Sequence, residues 1–160
     1  MNRVFHPLAP IVFEDSETLI LGSFPSLKSF EEQFYYAHPK NQFWKILSQI
    51  YGVPSDSKEQ RIELLQKAKI ALWDVIASCE RTNSADSNLK KAIPNDIEEL
   101  LRGYPAIKRI FFTGRTAQTL YKKHFGHIGL PTSLLPSPSP AYASVRYEVK
   151  LLTWKSVLAG

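Results

Sequence analysis

Two rhythms of apolar positions alternate along this 160-residue chain. Short, nearly unbroken apolar runs at 17–21, 69–75, 108–113 and 133–135 predict four strands, and their lack of polar interruption suits burial on both faces. Between them, apolar residues recur at helical spacing. Phe43, Ile46, Leu47 and Ile50 mark one helix, and Ile62, Leu64, Leu65 and Ala68 mark the next. Further helices are expected at 95–102, at 116–124 and from Ser144 to Leu158, the last with Val145, Val149, Leu152 and Val157 toward the sheet.

Punctuation residues agree with these boundaries. Pro39 pre-sets a helix start, and Gly52 and Pro54 close that helix. Ser57 with Gln60 three positions on reads as a capping box. Asn95-Asp96 caps a short helix that Gly103 and Pro105 stop. Gly114 turns the third strand into its helix, which Gly126 ends. Residues 2–15, broken by Pro7 and Pro10, read as an N-terminal arm. Residues 78–88 read as a long polar loop, a kind of segment that is often functional.

Strands alternating with helices predict a three-layer α/β/α fold: a short four-stranded parallel sheet with helices on both faces, in one domain spanning 1–160. Right-handed crossovers bring the loops after the strands to one edge. The loop 22–26, the loop after Asp74, the turn at Gly114 and the Pro/Ser loop 135–141 should therefore meet, where open α/β sheets hold their sites.

Composition narrows the classes. With 44% hydrophobic and 22% charged residues the chain is globular rather than disordered. A formal net charge of +5 makes nucleic acid or another polyanion a sensible partner. Cys79 is the only cysteine, so neither an internal disulfide nor a cysteine metal cluster can form. No signal-peptide-like apolar region or membrane-span-length run is present, so the expectation is a cytoplasmic protein with no membrane partner. The Gly-x-Ser-x-Gly elbow of many α/β hydrolases is absent.

Candidate chemistry gathers between the first strand and the helix at 43. Phe24, Phe30, Phe34, Tyr35, Tyr36 and His38 make this tract unusually aromatic for a solvated loop. Phe30 and Phe34 read as local core, and Tyr36 reads as a ring on which something flat could stack. Taken alone, Asn41 reads as a helix cap. Gly22 is equally a strand-ending turn or a point of close backbone approach. Asp74 could accept from a ring N–H or anchor its own loop, with little to choose between them. His38 reads best as fixing its loop, and His6, His124 and His127 show no ligand or catalytic spacing. Ser137 and Ser139 could offer hydroxyls to phosphates and Tyr142 could act as a wedge, although a Pro/Ser loop by itself is a stiff connector. Arg115, Lys122, Lys123 and Arg146 could add backbone contacts.

The motif Gly22-Ser-Phe-Pro-Ser26, followed by YYAHPKNQFWKIL at 35–47, resembles the first motif of the uracil-DNA glycosylase superfamily, in the form carried by its hypoxanthine-DNA glycosylase branch (family six). The mismatch-specific uracil/thymine branch carries a similar segment. Leu135-Pro-Ser-Pro-Ser-Pro-Ala141 resembles the second, DNA-contacting motif, so the likeness spans nearly the whole chain. It implies a monofunctional DNA glycosylase, monomeric and without metal or cofactor, that flips a deaminated base out of damaged DNA and hydrolyses its N-glycosidic bond. Hypoxanthine is the first expected substrate and uracil the next. A mismatch-directed uracil/thymine enzyme and a catalytically weak damage-binding protein are the alternatives.

The same resemblance assigns roles. Asn41 becomes the catalytic, water-orienting residue. Gly22, Ser23, Phe24, Pro25, Tyr36, His38 and Asp74 surround the base, and Ser26, Ser137, Ser139 and Tyr142 contact DNA. Two positions depart from the wider superfamily. Phe24 stands where many members have Asp or Asn, and Leu135 where the tightest uracil enzymes have His. Either Asn41 then carries the water alone or the enzyme is weak.

Overall fold

The computed structural model describes residues 3–81 and 89–159. At its centre lies β2 (Thr18–Gly22), whose five residues are all buried. It pairs in parallel with β3 (Ile70–Asp74) on one side and β6 (Arg109–Phe112) on the other, and β7 (Thr132–Leu134) continues the sheet beside β6. The order β3-β2-β6-β7 is the expected four-stranded parallel sheet.

Strand alternation sorts the side chains into two cores. Ile20, Leu72 and Phe111 point to one face, packed by Phe43, Ile46 and Leu47 of α2 (Phe43–Tyr51), Leu64 and Leu65 of α3 (Lys58–Ala68), and Trp154 and Leu158 of α6 (Tyr147–Ala159). Leu19, Leu21, Ile110 and Phe112 point to the other, packed by Ile97 and Leu100 of α4 (Ile97–Gly103) and by Ala117, Tyr121 and Phe125 of α5 (Arg115–Phe125). Helices thus cover both faces.

The helix ends follow from the residues that stand there. Ser57 Oγ accepts from Gln60 N–H at 3.1 Å, and Gln60 Oε1 reaches back to Asp56 N–H at 2.7 Å. Asp96 accepts from Glu99 N–H at 3.0 Å. Gly52 closes α2 at a φ of 67°, a left-handed conformation that a missing Cβ makes easy.

Four expectations need correction. The N-terminal arm and the segment after Asp74 build a second sheet: β1 (Arg3–Phe5), β4 (Ile76–Glu80) and β5 (Lys90–Pro94), antiparallel in the order β1-β4-β5. Residues 78–80 therefore belong to a strand, and 82–88 of the expected loop lie outside the described residues. Polar composition concealed this strand, because its polar groups are satisfied inside: the Arg3 guanidinium donates to Ser78 Oγ and to Lys91 C=O, both at 2.9 Å. A six-residue helix, α1 (Leu27–Glu32), stands within the aromatic tract and starts where Ser26 Oγ accepts from Ser29 N–H at 3.2 Å.

The fourth correction concerns α6, which begins at Tyr147 rather than Ser144 and turns a different stripe inward. Lys150, Trp154 and Leu158 are buried, whereas Val149 is exposed and Leu152 is 67% exposed. Val145 precedes the helix, and Val157 is half-buried. Hydropathy pointed the wrong way because the stripe starts at a lysine. Its Nζ donates to Gln42 Oε1 at 2.9 Å, and burial holds its pKa below the usual lysine range.

Trp154 joins this packing to the loop beyond β7. Its ring meets Phe43 edge-on at 5.6 Å, and its Nε1 donates to Pro136 C=O at 2.9 Å. Trp154→Ala should cost about 3–5 kcal/mol of stability, read as a lower urea midpoint at unchanged slope. A loss below about 1 kcal/mol would contradict this placement of the core.

Candidate active site

The loops at the carboxyl ends of the parallel strands enclose one cavity of about 860 Å³. Gly22 to Ser26 form one wall, Thr113 to Thr116 another, and Leu134 to Ser139 a third, with Tyr36, Asn41, Asp74 and Tyr142 between them. Residues from four separate loops are thus brought to one place, as the topology predicts.

The floor is built around a missing side chain. A Cβ on Gly22 would lie 2.5 Å from Asp74 Oδ1, 3.0 Å from Tyr36 Oη and 3.4 Å from Thr113 Oγ1. Three polar groups from three segments therefore meet at the end of β2. The strand ends are also zipped together: Val75 N–H donates to Gly22 C=O at 2.9 Å and Ile76 N–H to Ser23 C=O at 3.1 Å.

Tyr36 lies flat against Phe43, with ring centroids 3.9 Å apart and planes 8° from parallel. Its hydroxyl is 3.0 Å from Thr113 Oγ1. Its backbone sits at a φ of 50°, a left-handed conformation costing a non-glycine residue roughly 1–2 kcal/mol. Such strain persists only where surrounding contacts hold it, and here the Phe43 stack and the Thr113 contact do so.

Gln42 stands at the N-cap of α2 without a side-chain capping bond, and Asn41 caps from one residue further out, its Oδ1 accepting from Phe43 N–H at 2.9 Å. That bond uses one of the oxygen's two lone pairs and neither amide proton. Because Asn41 also borders the cavity, capping leaves it chemically able to hold a water.

Asp74 ends β3 with its side chain almost fully enclosed. Its Oδ2 lies 2.8 Å from His6 Nε2, and Asn95 Nδ2 donates to its backbone carbonyl at 2.8 Å. His6 comes from the residue after β1, 68 positions earlier, which is why no local spacing announces it. Phe24 is buried, edge-on to His6 at 5.8 Å, and lies with Phe30 under the Arg81 guanidinium, 4.9 Å from each ring. Arg81 Nη1 also donates to Pro25 C=O. Phe24 therefore both fills core and borders the cavity.

The Pro/Ser loop is pinned from behind. Gln42 N–H donates to Pro138 C=O at 2.9 Å, and Leu135 N–H to Phe112 C=O at 2.8 Å. Within it, Ser137 Oγ accepts from Ser139 N–H at 3.2 Å and Ser139 Oγ from Ala141 N–H at 3.1 Å. Each hydroxyl keeps its own proton to donate. Leu135 is fully buried and packs into the core.

Gly22, Ser23, Phe24, Pro25, Ser26, Tyr36, Asn41, Asp74, Ser137, Ser139 and Tyr142 all border the cavity. His38 differs. It is exposed, and its Nδ1 accepts from Lys40 N–H at 3.0 Å while its carbonyl accepts from Asn41 N–H at 2.9 Å. That is the loop-fixing arrangement rather than a wall of the site. Sequence reasoning missed His6, Thr113 and Arg81, whose partners lie far away along the chain. Among the described residues, no group of three or more His, Cys, Asp or Glu is disposed to hold a metal ion, and no helix is long and apolar enough to cross a membrane.

The sequence model of the uracil DNA glycosylase superfamily matches residues 10–157, and the chain belongs to that superfamily. Two curated relatives carry the name hypoxanthine DNA glycosylase. One, from Methanosarcina barkeri (strain Fusaro / DSM 804), is 34% identical over 134 residues, covering 82% of this chain and 84% of the relative. The other, from Methanosarcina acetivorans, is 35% identical over 133 residues, with the same coverage of each. A solution NMR structure of a protein from Methanosarcina acetivorans, described as a candidate uracil DNA glycosylase, superposes with a TM-score of 0.83 at 31% identity. That match covers 96% of this chain and 95% of the other.

Gly22→Ala tests the construction of the floor. The added methyl cannot sit 2.5 Å from Asp74 Oδ1, so the carboxylate and the Tyr36 ring must shift. Stability should fall by about 1–3 kcal/mol in thermal melting, with excision falling further than the melting change explains. Unchanged melting together with unchanged excision would contradict the close approach.

Proposed function

We propose that this chain is a monofunctional DNA glycosylase that extrudes a deaminated base, hypoxanthine first and uracil next, and hydrolyses its N-glycosidic bond. It acts as a monomer on damaged DNA in the cytoplasm. The observation that carries this reading is that Tyr36, braced by Phe43, and Asn41, just before α2, border the same cavity as Gly22. Its likeness to two proteins named hypoxanthine DNA glycosylase supports the choice of base.

The chemistry follows from the reaction. Bond cleavage leaves negative charge on the departing base and oxocarbenium character on the sugar, so a positioned water and hydrogen-bonding groups at the base are what the site must supply. Asn41 orients the water through the capacity its capping bond leaves unused. Tyr36 stacks on the flipped base, and Asp74, which Gly22 lets close in on the end of β2, accepts from the base's ring N–H. Phe24 stands where a carboxylate or amide would hold water in many superfamily members, which concentrates that task on Asn41. At the rim, Ser26, Ser137, Ser139 and Tyr142 meet the DNA strand.

Asn41→Ala separates catalysis from capping. Single-turnover excision should fall on the order of 10²-fold or more, while binding to lesion DNA changes little. The lost cap should cost about 1 kcal/mol in melting. Near-normal excision by a folded variant would remove Asn41 from the mechanism. Tyr36→Ala should instead weaken the lesion complex by about 1–3 kcal/mol. Binding to lesion-bearing duplex should also fall steeply as salt rises, because phosphate contacts release counterions; salt-independent binding would contradict a DNA substrate.

A further inference from the structure

We propose that His6 is a specificity-determining positioning residue: it engages Oδ2 of Asp74 and so holds Oδ1, a carboxylate acceptor, toward the cavity, where it takes bases bearing a ring N–H and rejects those bearing a ring-nitrogen lone pair at that place. The proposal rests on the glycosylase reading above and concerns how that site tells a deaminated base from its parent.

Both ring nitrogens of His6 are engaged. Nδ1 accepts from the backbone N–H of Leu8 at 3.2 Å. A ring nitrogen that accepts a hydrogen bond carries no proton, so the one proton of the imidazole sits on Nε2. Nε2 lies 2.8 Å from Asp74 Oδ2. The ring therefore donates through Nε2, and Oδ2 is its acceptor. The other oxygen, Oδ1, turns to the Gly22 side, where Asp74 borders the cavity. As a carboxylate it can offer a base acceptor capacity only.

The ring is held against reorientation. His6 N–H donates to Ala77 C=O at 2.8 Å, directly after β1 pairs with β4. Its side chain is 4% exposed and lies against Phe24 and Tyr35. The small antiparallel sheet, beside the main one, thus holds the ring that positions the acceptor of the base pocket.

The consequence is chemical. Hypoxanthine carries a hydrogen on N1 and uracil one on N3. Adenine and cytosine, from which deamination makes them, carry lone pairs at those atoms. An acceptor fixed at that place reads the change made by deamination, whereas the stacking ring of Tyr36 is indifferent to it.

The test introduces Asp74→Asn in two backgrounds. With His6 present, the new amide must turn its oxygen to the Nε2 hydrogen and its NH₂ to the cavity, facing the base N–H with a donor. Under H6Q the neighbouring amide can donate or accept, so that constraint is lifted. D74N should slow single-turnover excision of hypoxanthine by about 10²-fold or more in the wild-type background and by less than about tenfold under H6Q. Equal losses in both backgrounds, with melting showing folded proteins, would overturn the lock. A nitrogen-15 spectrum of His6 in the unaltered protein gives a readout that needs no variant. It should show a protonated Nε2 and a bare Nδ1; a protonated Nδ1 would overturn the lock. If the unaltered protein excised no deaminated base, the glycosylase reading would fall instead, and the nitrogen-15 result would still decide how His6 holds Asp74.

Discussion

The site exists because Gly22 has no side chain. β2 is one of the two inner strands of the parallel sheet, and its last residue is where the ends of β3 and β6 and the turn at Tyr36 draw together. The Asp74 carboxylate comes within 2.5 Å of where a Cβ would stand, with the Tyr36 phenol at 3.0 Å and the Thr113 hydroxyl at 3.4 Å beside it. Burial of the whole strand fixes that residue rigidly, so the polar groups around it inherit the precision of the sheet rather than the looseness of loops.

Two supports outside the sheet complete the arrangement. On one side, α2 and α6 hold the Pro/Ser loop through Gln42 and Trp154, with Lys150 bonded to Gln42 beneath it. A buried ammonium is costly unless paired with an acceptor, and here the side-chain oxygen of Gln42 serves. On the other side, the small sheet brings His6 behind Asp74 and Arg81 over Phe24 and Phe30. The cavity is therefore walled by segments whose own polar groups are tied down. Such preorganisation is what a site that must place groups around developing charge demands.

Much of this was legible in the sequence, for physical reasons. A parallel strand buried on both faces must be nearly all apolar, so 17–21, 69–75 and 108–113 stood out, and the crossover rule then placed their loops together. The Gly-Ser-Phe-Pro-Ser and Asn41 segments were visible as motifs. What stayed hidden was long-range polar pairing. Residues 78–80 read as the opening of a loop because Ser78 and Glu80 are polar, yet Ser78 is buried under Arg3. His6 gave no signal because its partner is 68 residues distant, and α6 was turned the wrong way because Lys150 is buried. Hydropathy patterns assume that polar means outward, and each of these residues is a polar group satisfied inside.

The central claim is that the cavity bordered by Gly22 receives a deaminated base and releases it by hydrolysis. It is tested most directly by incubating the purified protein with duplexes that each carry one hypoxanthine, uracil, thymine mismatch or ordinary base, followed by alkaline cleavage at any abasic site. The account predicts strand breaks at hypoxanthine above all, breaks at uracil next, and intact DNA where adenine or cytosine stands. Intact strands for every lesion, or breaks at adenine as readily as at hypoxanthine, would contradict it.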